Sequence, residues 1–286
     1  MKFLIFGASG MAGHTISLYL SEQGHEVVGF SRSNINYFNS IIGDVHNLDE
    51  VRNILKTGDF DVVVNCIGIL NFSAENSKHE AVFLNSFFPH LLVEATKDTR
   101  TIVIQMSTDC VFSGKKGSYT EKMFQDGPTF YDRTKALGEI VDNKNITFRN
   151  SIIGPDMNSN GIGLLNWFML QKREVNGYKN VMWTGITTLE LAKAIEAAAV
   201  QKVFGLFNLV NDLSISKYNI LVLLNKHLRG GELVINSIEN IKSDKSLKRL
   251  NFDFDFIVSD YETMIVELGI WMKSHHYLYP HYNLES

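Results

Sequence analysis

The first 23 residues constrain the fold most. Lys2 to Phe6 is a short apolar run, Gly7-Ala8-Ser9-Gly10-Met11-Ala12-Gly13 follows it, and a helical pattern then continues to about Gln23. Strand, tight glycine turn and helix in that order let backbone N–H groups approach a pyrophosphate, with the positive end of the helix dipole aimed at it. The spacing is G-x-x-G-x-x-G rather than G-x-G-x-x-G. A nucleotide cradle built from Gly7, Ser9, Gly10, Met11 and Gly13 is expected, the alternative being a bland structural turn.

Further along, Glu26 to Phe30 reads as a second strand ending in Ser31-Arg32-Ser33. A carboxylate at this place would bind the ribose hydroxyls of NAD, whereas an arginine can pair with a 2′-phosphate. Arg32 therefore favours NADP(H), with NAD(H) as the alternative. Asp44, followed by Val45, either accepts from an adenine amino group or caps the turn before Asn47. Asp61 to Asn65 is a β-branched run without alternation, as expected of a strand buried on both faces of a parallel sheet. Cys66, Ile67 and Gly68 then fall at its carboxyl end, where open α/β sheets bind ligands. Ser77 to Glu80 has the form of a capping box opening a long apolar helix from His79 to Lys97, with a kink expected at Pro89. Thr101 to Ser107 and Ile146 to Asn150 complete five strands separated by helices, which predicts a doubly wound parallel sheet of Rossmann type.

Length and charge narrow the function. A chain of 286 residues can bury a large core; a net charge of −4 and a pI near 6.1 leave no electrostatic footprint for nucleic acid. No run of about 18 apolar residues exists, so no membrane span is expected, and Phe3 to Phe6 is too short for a signal peptide. Two cysteines, Cys66 and Cys110, argue against a disulfide scaffold and for a reducing, cytoplasmic setting.

The stretch from Ser107 to Lys135 carries the chemistry. Tyr131 and Lys135 are i and i+4 on a helix expected over Phe130 to Asp142, so they share a face. A free phenol titrates near pH 10 and needs a fixed cation nearby to be a useful acid at neutral pH; Lys135 would supply it. A hydroxyl from Thr108 or Ser107 at a strand end would orient a carbonyl and support the developing alkoxide. A lone Tyr-x-x-x-Lys is usually an ordinary helix face, so the weight falls on context.

That context is a set of motifs in one order: the glycine triplet, Ser107-Thr-Asp-Cys-Val-Phe-Ser-Gly114, Tyr119-Thr-Glu121, and Tyr131-x-x-x-Lys135 followed by Gly138-Glu139. Together they resemble the extended short-chain dehydrogenase/reductases, specifically the dTDP-4-dehydrorhamnose reductase group of nucleotide-sugar ketoreductases. The resemblance is strong to about Pro155 and looser beyond. It implies Thr108 as the hydroxyl of the triad, Tyr131 as proton donor, and Lys135 as the group that lowers the tyrosine pKa and holds the nicotinamide ribose. It also implies Pro155 near the nicotinamide amide, and Asp109, Val111 and Phe112 shaping the sugar pocket. Two departures stand out: Asp132 replaces the usual glycine after the tyrosine, and Cys66-Ile67 replaces small alanines.

In the second half, helices are expected over Gly163 to Lys172, Leu189 to Val200, Lys217 to Leu228 and Asp260 to Lys273, with a capping box at Thr187 to Glu190. The expected division is a dinucleotide-binding domain over 1–155 and a mainly helical substrate lobe over 156–286, with about 181–210, including a strand at Leu206 to Val210, returning to the main sheet. Trp167, Tyr178 and Trp183 are candidates to stack on a nucleobase, with core or interface packing as the alternative. Arg149, Lys172, Arg173 and Lys179 are candidates for a substrate pyrophosphate. His275, His276 and His281 lack the spacing of a metal site, and none is expected. The resemblance points to NAD(P)H-dependent reduction of a 4-keto-6-deoxy nucleotide sugar for polysaccharide or glycoconjugate synthesis. Two competing readings are a 4-epimerase with tightly held NAD and a non-catalytic NADP-binding regulatory subunit. The greasy helix from His79 leaves room for a partner surface, including a homodimer.

Overall fold

Strand β1 (Lys2–Phe6) is the centre of the molecule, its Phe3, Leu4, Ile5 and Phe6 all fully buried. In the computed structural model, which describes residues 1–282 and Leu284, the glycine turn leads from β1 into helix α1 (Met11–Glu22). Next come β2 (Glu26–Ser31), β3 (Ser40–Ile42), α2 (Leu48–Thr57) and β4 (Val62–Asn65). Helices α3 (Asn71–Asn76), α4 (Lys78–Val82) and α5 (Phe88–Thr96) precede β5 (Ile102–Thr108), and α6 (Phe130–Leu137) precedes β6 (Ile146–Asn150). The second half contributes β7 (Ile152–Ile153), α7 (Leu164–Met169), β8 (Glu174–Tyr178), β9 (Val181–Trp183), β10 (Ile186–Thr187) and α8 (Thr188–Gln201). It ends with β11 (Gly205–Asn208), β12 (Ile215–Ser216), α9 (Lys217–Leu228), β13 (Val234–Ile238), β14 (Ser243–Asp244) and α10 (Tyr261–Ser274).

Seven strands form one parallel sheet in the order β3-β2-β1-β4-β5-β6-β11. This is the doubly wound arrangement expected from the sequence, and the strand order reverses between β1 and β4. Ligands bind in such sheets where two neighbouring strands send their connections to opposite faces. Both faces are covered, so Val62, Val63 and Val64 are inaccessible to water, which is why β4 reads as an unbroken β-branched run. The strand expected at Leu206 to Val210 joins the sheet as β11 through pairing with β6. The short edge strand β3 was not visible in the sequence pattern.

Several helix expectations need correction. Ser77 makes no cap bond: α3 ends at the residue before it, and its backbone (φ −127°, ψ 72°) is shared between two helix ends. The long helix from His79 is three pieces, α4, a π-helical turn over Phe83–Phe87, and α5. Pro89 sits in the first turn of α5, so it follows the π turn rather than kinking an α-helix. Helix α6 stops at Leu137 because the chain closes at Gly138, where any Cβ would lie 1.8 Å from the Asn85 carbonyl oxygen. Helix α7 is likewise shorter than expected. At Thr187 half of the capping box forms; Glu190 accepts instead from the Ser259 N–H at 2.8 Å.

A buried ion pair joins β6 to the loop after α6. The Arg149 guanidinium, 1% exposed, binds Glu139 through Nε to Oε1 and Nη2 to Oε2, both at 2.7 Å. Its remaining Nη1 donates to the Glu121 carbonyl, and the cation lies 5.2 Å from the Phe112 ring centre. Arg149 is therefore a structural residue and not a free ligand for pyrophosphate. Arg149→Met leaves a buried carboxylate without its counter-ion and is expected to cost about 3–5 kcal/mol in urea unfolding. Adding Glu139→Gln should recover part of that loss, and a single variant as stable as the parent would show that the pair carries no weight.

On the other face, α1 packs against α8 and the C-terminal segment. His14 is fully buried, with Nδ1 on the Gly10 carbonyl (2.9 Å) and Nε2 on the Tyr279 hydroxyl (2.8 Å). Burial pushes its pKa down to about 4. The folded-state value lies below the unfolded one, so the stability tied to neutral His14 is complete above pH 6.5 and is lost as pH falls toward 4. The loss amounts to about 3 kcal/mol. His14→Gln should flatten this part of the pH–stability curve; an unchanged slope between pH 6.5 and 4 would refute it.

Candidate active site

The turn after β1 is shaped by close approach. Gly7 has φ +78°, and a Cβ there would lie 3.2 Å from the backbone of Cys66 and of Ile67, so the loops after β1 and β4 touch at the point of strand reversal. A Cβ at Gly13 would lie 2.2 Å from the Gly7 carbonyl oxygen, which explains the glycine inside the first turns of α1. Gly10 is the N-cap and has no side chain to occupy the helix N–H groups. Ser9 and Gly10 are exposed and Met11 half-buried, its sulfur 3.0 Å from where a Gly163 Cβ would stand. The loop after β4 is set by Asn65, which donates to Gln105 (2.8 Å) and accepts from the Ile67 N–H (3.1 Å). Cys66 is paired with nothing; burial pushes its thiol up to about 12.

At the end of β2, Arg32 is exposed, and its charge reaches Asp44. Asp44 accepts from the His46 N–H (3.0 Å) and ring Nδ1 (2.7 Å), contacts that hold its carboxyl below the usual range. Of the two roles left open in the sequence, turn capping is the one occupied. Val45 is buried beneath it. His46, which the sequence did not single out, stacks on Phe83 with ring centres 4.4 Å apart and reaches Glu80 at 3.1 Å.

Alternation along β5 separates its last two hydroxyls. Ser107 Oγ donates to Glu139 at 2.6 Å, so it is committed to the buried ion pair and not to a carbonyl. Thr108 accepts from the Cys110 N–H (3.1 Å) and donates to Asp109 (3.2 Å), and it lies near enough to the Tyr131 phenol to influence its acidity. Tyr131 is raised to this place by α6, whose capping box is complete: Thr129 and Asp132 exchange bonds at 3.1 Å in each direction. Asp132, the departure from the family glycine, is thus spent on the cap. Tyr131 is 6% exposed, and burial pushes its pKa up, opposed by Thr108. One turn on, Lys135 is buried and donates to the Met106 carbonyl at 2.6 Å. Burial pulls its pKa down to about 8, against the opposing charge of Glu139. Burial is the dominant influence on the tyrosine's acidity.

The π turn holds this helix in place. Asn85 spans the Ile69 N–H and carbonyl (3.0 Å each) and the Thr134 hydroxyl (3.2 Å), while Ser86 donates to the Thr134 carbonyl at 2.8 Å. A Cβ on Gly68 would come within 3.2 Å of Asn85 Oδ1 and 3.9 Å of Lys135 Nζ, so Lys135 lies at the carboxyl ends of β4 and β5. Neither Asn85 nor Ser86 was a sequence candidate; the π turn that aligns them leaves no local signature.

The expected substrate residues fare differently. Val111 and Phe112 are fully buried, with Phe112 stacked on Tyr119 at 4.3 Å; they back the site from behind and line no opening. Asp109 is buried beside Thr108, and burial pushes its pKa up. Trp183 is 2% exposed, so it has no free face for a base, whereas Trp167 and Tyr178 are about 40% exposed across a surface cavity of about 430 Å³ with Asn176 and Asn236. Lys179 pairs with Glu239, and His275 with Glu22. Pro155 is buried just beyond β7.

A glycine-lined turn at the reversal point of a doubly wound parallel sheet, with Thr108, Tyr131 and Lys135 nearby, defines a Rossmann-type fold of the extended short-chain dehydrogenase/reductase kind. Within that class, the chain belongs to the RmlD substrate binding domain family, whose model matches residues 1–249. It is 30% identical over 143 residues to the probable low-salt glycan biosynthesis reductase Agl14 of Haloferax volcanii, covering 49% of this chain and 48% of that one. It is also 30% identical over 140 residues to a dTDP-4-dehydrorhamnose reductase of Streptomyces griseus, covering 48% and 43%. The chain thus spans about half the length of the curated relatives it matches. In structure it is similar to the dTDP-4-dehydrorhamnose reductase of Bacillus anthracis in complex with NADP. The TM-score is 0.80 at 16% identity, over 94% of this chain and 99% of that one.

The lowered Lys135 pKa has a measurable consequence. Between about pH 8 and the ordinary lysine value near 10.4, the unfolded chain binds this proton and the folded one does not, so folding stability gains as pH rises through that window. The stability of the parent relative to Lys135→Met should therefore rise from pH 8 to 10. A pH-independent difference would mean that the ammonium is not buried as described.

Proposed function

We propose that the protein reduces the 4-keto group of a nucleotide-linked 6-deoxy sugar with NADPH. The observation that carries this reading is the meeting of Thr108 and Tyr131, with Lys135 one turn further along α6, beside the loops at the sheet's reversal point. The glycine turn fits a pyrophosphate, since Gly10 leaves the first N–H groups of α1 uncovered and side chains at Gly7 and Gly13 would break the close backbone packing that shapes the turn. Arg32, free in solvent at the end of β2, suits a 2′-phosphate, and the relative from Bacillus anthracis binds NADP. Gly68, Ile67 and Cys66 would flank the ribose, and Pro155 the nicotinamide amide. Once bound, the cofactor supplies a hydride to the sugar carbon.

The chain's own residues then manage the oxygen. Tyr131 keeps its proton because a buried phenolate is disfavoured, and gives it up only when negative charge develops on the carbonyl oxygen. Thr108, beside the phenol at the end of β5, would orient that oxygen. Lys135 stabilises the phenolate left behind, and Glu139 holds the lysine in its charged form. Residues 156–286 would serve as the substrate lobe over the ends of the strands. The exposed Phe87, Leu137 and Val141 suit the face of a homodimer, and cytoplasmic polysaccharide synthesis is the setting that fits such a substrate.

The test is oxidation of NADPH and of NADH in the presence of dTDP-, UDP- and GDP-linked 4-keto-6-deoxyhexoses, with NADPH preferred. Tyr131→Phe should retain NADPH affinity while kcat falls by about 10²- to 10⁴-fold. A Tyr131→Phe enzyme at full turnover would remove the tyrosine from the reaction.

A further inference from the structure

Beside Thr108 and in the second half of the chain, buried hydrogen-bond donors stand without acceptors. Thr108 and Asn150 are register partners at the ends of β5 and β6, and Asn150 Nδ2 is buried with no partner. Trp183 Nε1 is also buried and unpartnered. The indole edge bearing that nitrogen lies beside the next residue of the chain: a Cβ at Gly185 would be 2.2 Å from both Trp183 Cε2 and the Ser151 carbonyl oxygen. Over the same indole stands Lys217, the first residue of α9, its Nζ 5.1 Å from the ring centre. Lys217 is half-buried and makes no hydrogen bond and no ion pair within 4.0 Å among the described residues. Its charge is felt by Asp109 and Cys110, the two residues after Thr108.

An ammonium short of water, resting on a ring face with no carboxylate in bonding range, is under-satisfied, as are the two nitrogens beside it. An unpaired ammonium whose charge reaches the buried Asp109 carboxylate, next to Thr108, suits a ligand rich in hydroxyl oxygens. We infer that Lys217 is a specificity-determining residue for the sugar. Its ammonium donates to a ring hydroxyl of the substrate, while Asp109 accepts from the adjacent hydroxyl; Trp183 and Asn150, both buried, support the lysine and the strand end from behind. The inference rests on the ketoreductase reading for the identity of the ligand but not for its turnover. It places sugar recognition on the first turn of α9, within reach of the Thr108 strand end.

Calorimetric binding tests it without chemistry. The probes are dTDP-glucose with dTDP and UDP-glucose with UDP, against the parent, Lys217→Met and Lys217→Arg. Whichever sugar nucleotide the parent binds should lose about 10- to 100-fold in affinity in Lys217→Met. Its bare nucleoside diphosphate should bind both proteins equally, and Lys217→Arg should retain part of the difference. NADPH affinity, unchanged in all three, reports that the variants are folded. Parallel losses for diphosphate and sugar nucleotide would move Lys217 to the pyrophosphate and overturn the inference. So would equal sugar-nucleotide affinity in parent and variant, or a parent that binds neither sugar nucleotide. A parent that binds the sugar nucleotide as described yet oxidises no NADPH with any keto sugar would instead overturn the ketoreductase reading and leave this one standing.

Discussion

The bidentate contact between Glu139 and Arg149 is the constraint from which the site's geometry follows. Tyr131 and Lys135 sit on a helix of only eight residues, too short to hold its own direction. Its C-terminal end is fixed because Glu139, two residues beyond Leu137, is clamped by Arg149 of β6, Ser107 of β5 and Gln125 of the loop before α6. Its N-terminal end is fixed by the Thr129–Asp132 box, and its flank by Asn85 and Ser86. A buried ion pair is poor value as a source of stability, yet breaking one is costly, so it serves well where a direction must be kept. The same carboxylate lies close enough to Lys135 to oppose the loss of its proton, so one group both fixes the helix that carries the lysine and offsets part of the effect of its burial.

The parallel sheet was legible because burial on both faces forces a composition that little else produces. Val62 to Val64 and Phe3 to Phe6 could not be surface strands, and the glycine turn between β1 and α1 has few other uses. The placement of the candidate cluster was legible for a related reason: Thr108 lies at a strand end and Tyr131 and Lys135 on one helix face, so local periodicity is enough to align them. What escaped notice depends on partners far away in the chain. Ser40 to Ile42 is a strand only because β2 lies beside it, and three residues carry no pattern. Arg149 reads as a free cation until Glu139 is found opposite it. Ser77 has the composition of a cap but no room to act as one, because α3 ends immediately before it. Asn85 and Lys217 gain their meaning from contacts with Thr134, 49 residues away, and with the Trp183 ring.

The π turn illustrates how a local irregularity serves a distant requirement. A regular helix from His79 to Lys97 would present Asn85 and Ser86 at α-helical spacing; the wider turn at Phe83–Phe87 brings both side chains onto α6. The cost in backbone hydrogen bonding is offset by Phe88, Leu91 and Leu92, which bury the next helix against β1 and β4. Pro89 fits there because the first turn of a helix does not need its missing N–H.

The chain beyond residue 249 lies outside the family match, yet it closes over the nucleotide-binding half. Tyr279 meets His14 on α1, His275 reaches Glu22 at the far end of the same helix, and Tyr277 packs against Tyr37 in the loop that follows Arg32. Tyr282 bonds Asn166 of α7 and the Asp156 N–H, one residue past Pro155. Helix α1 presents its N-terminus to the phosphate loop, so its orientation decides where those N–H groups point. A segment that grips both ends of α1 and the start of the second half therefore fixes the cradle relative to that half.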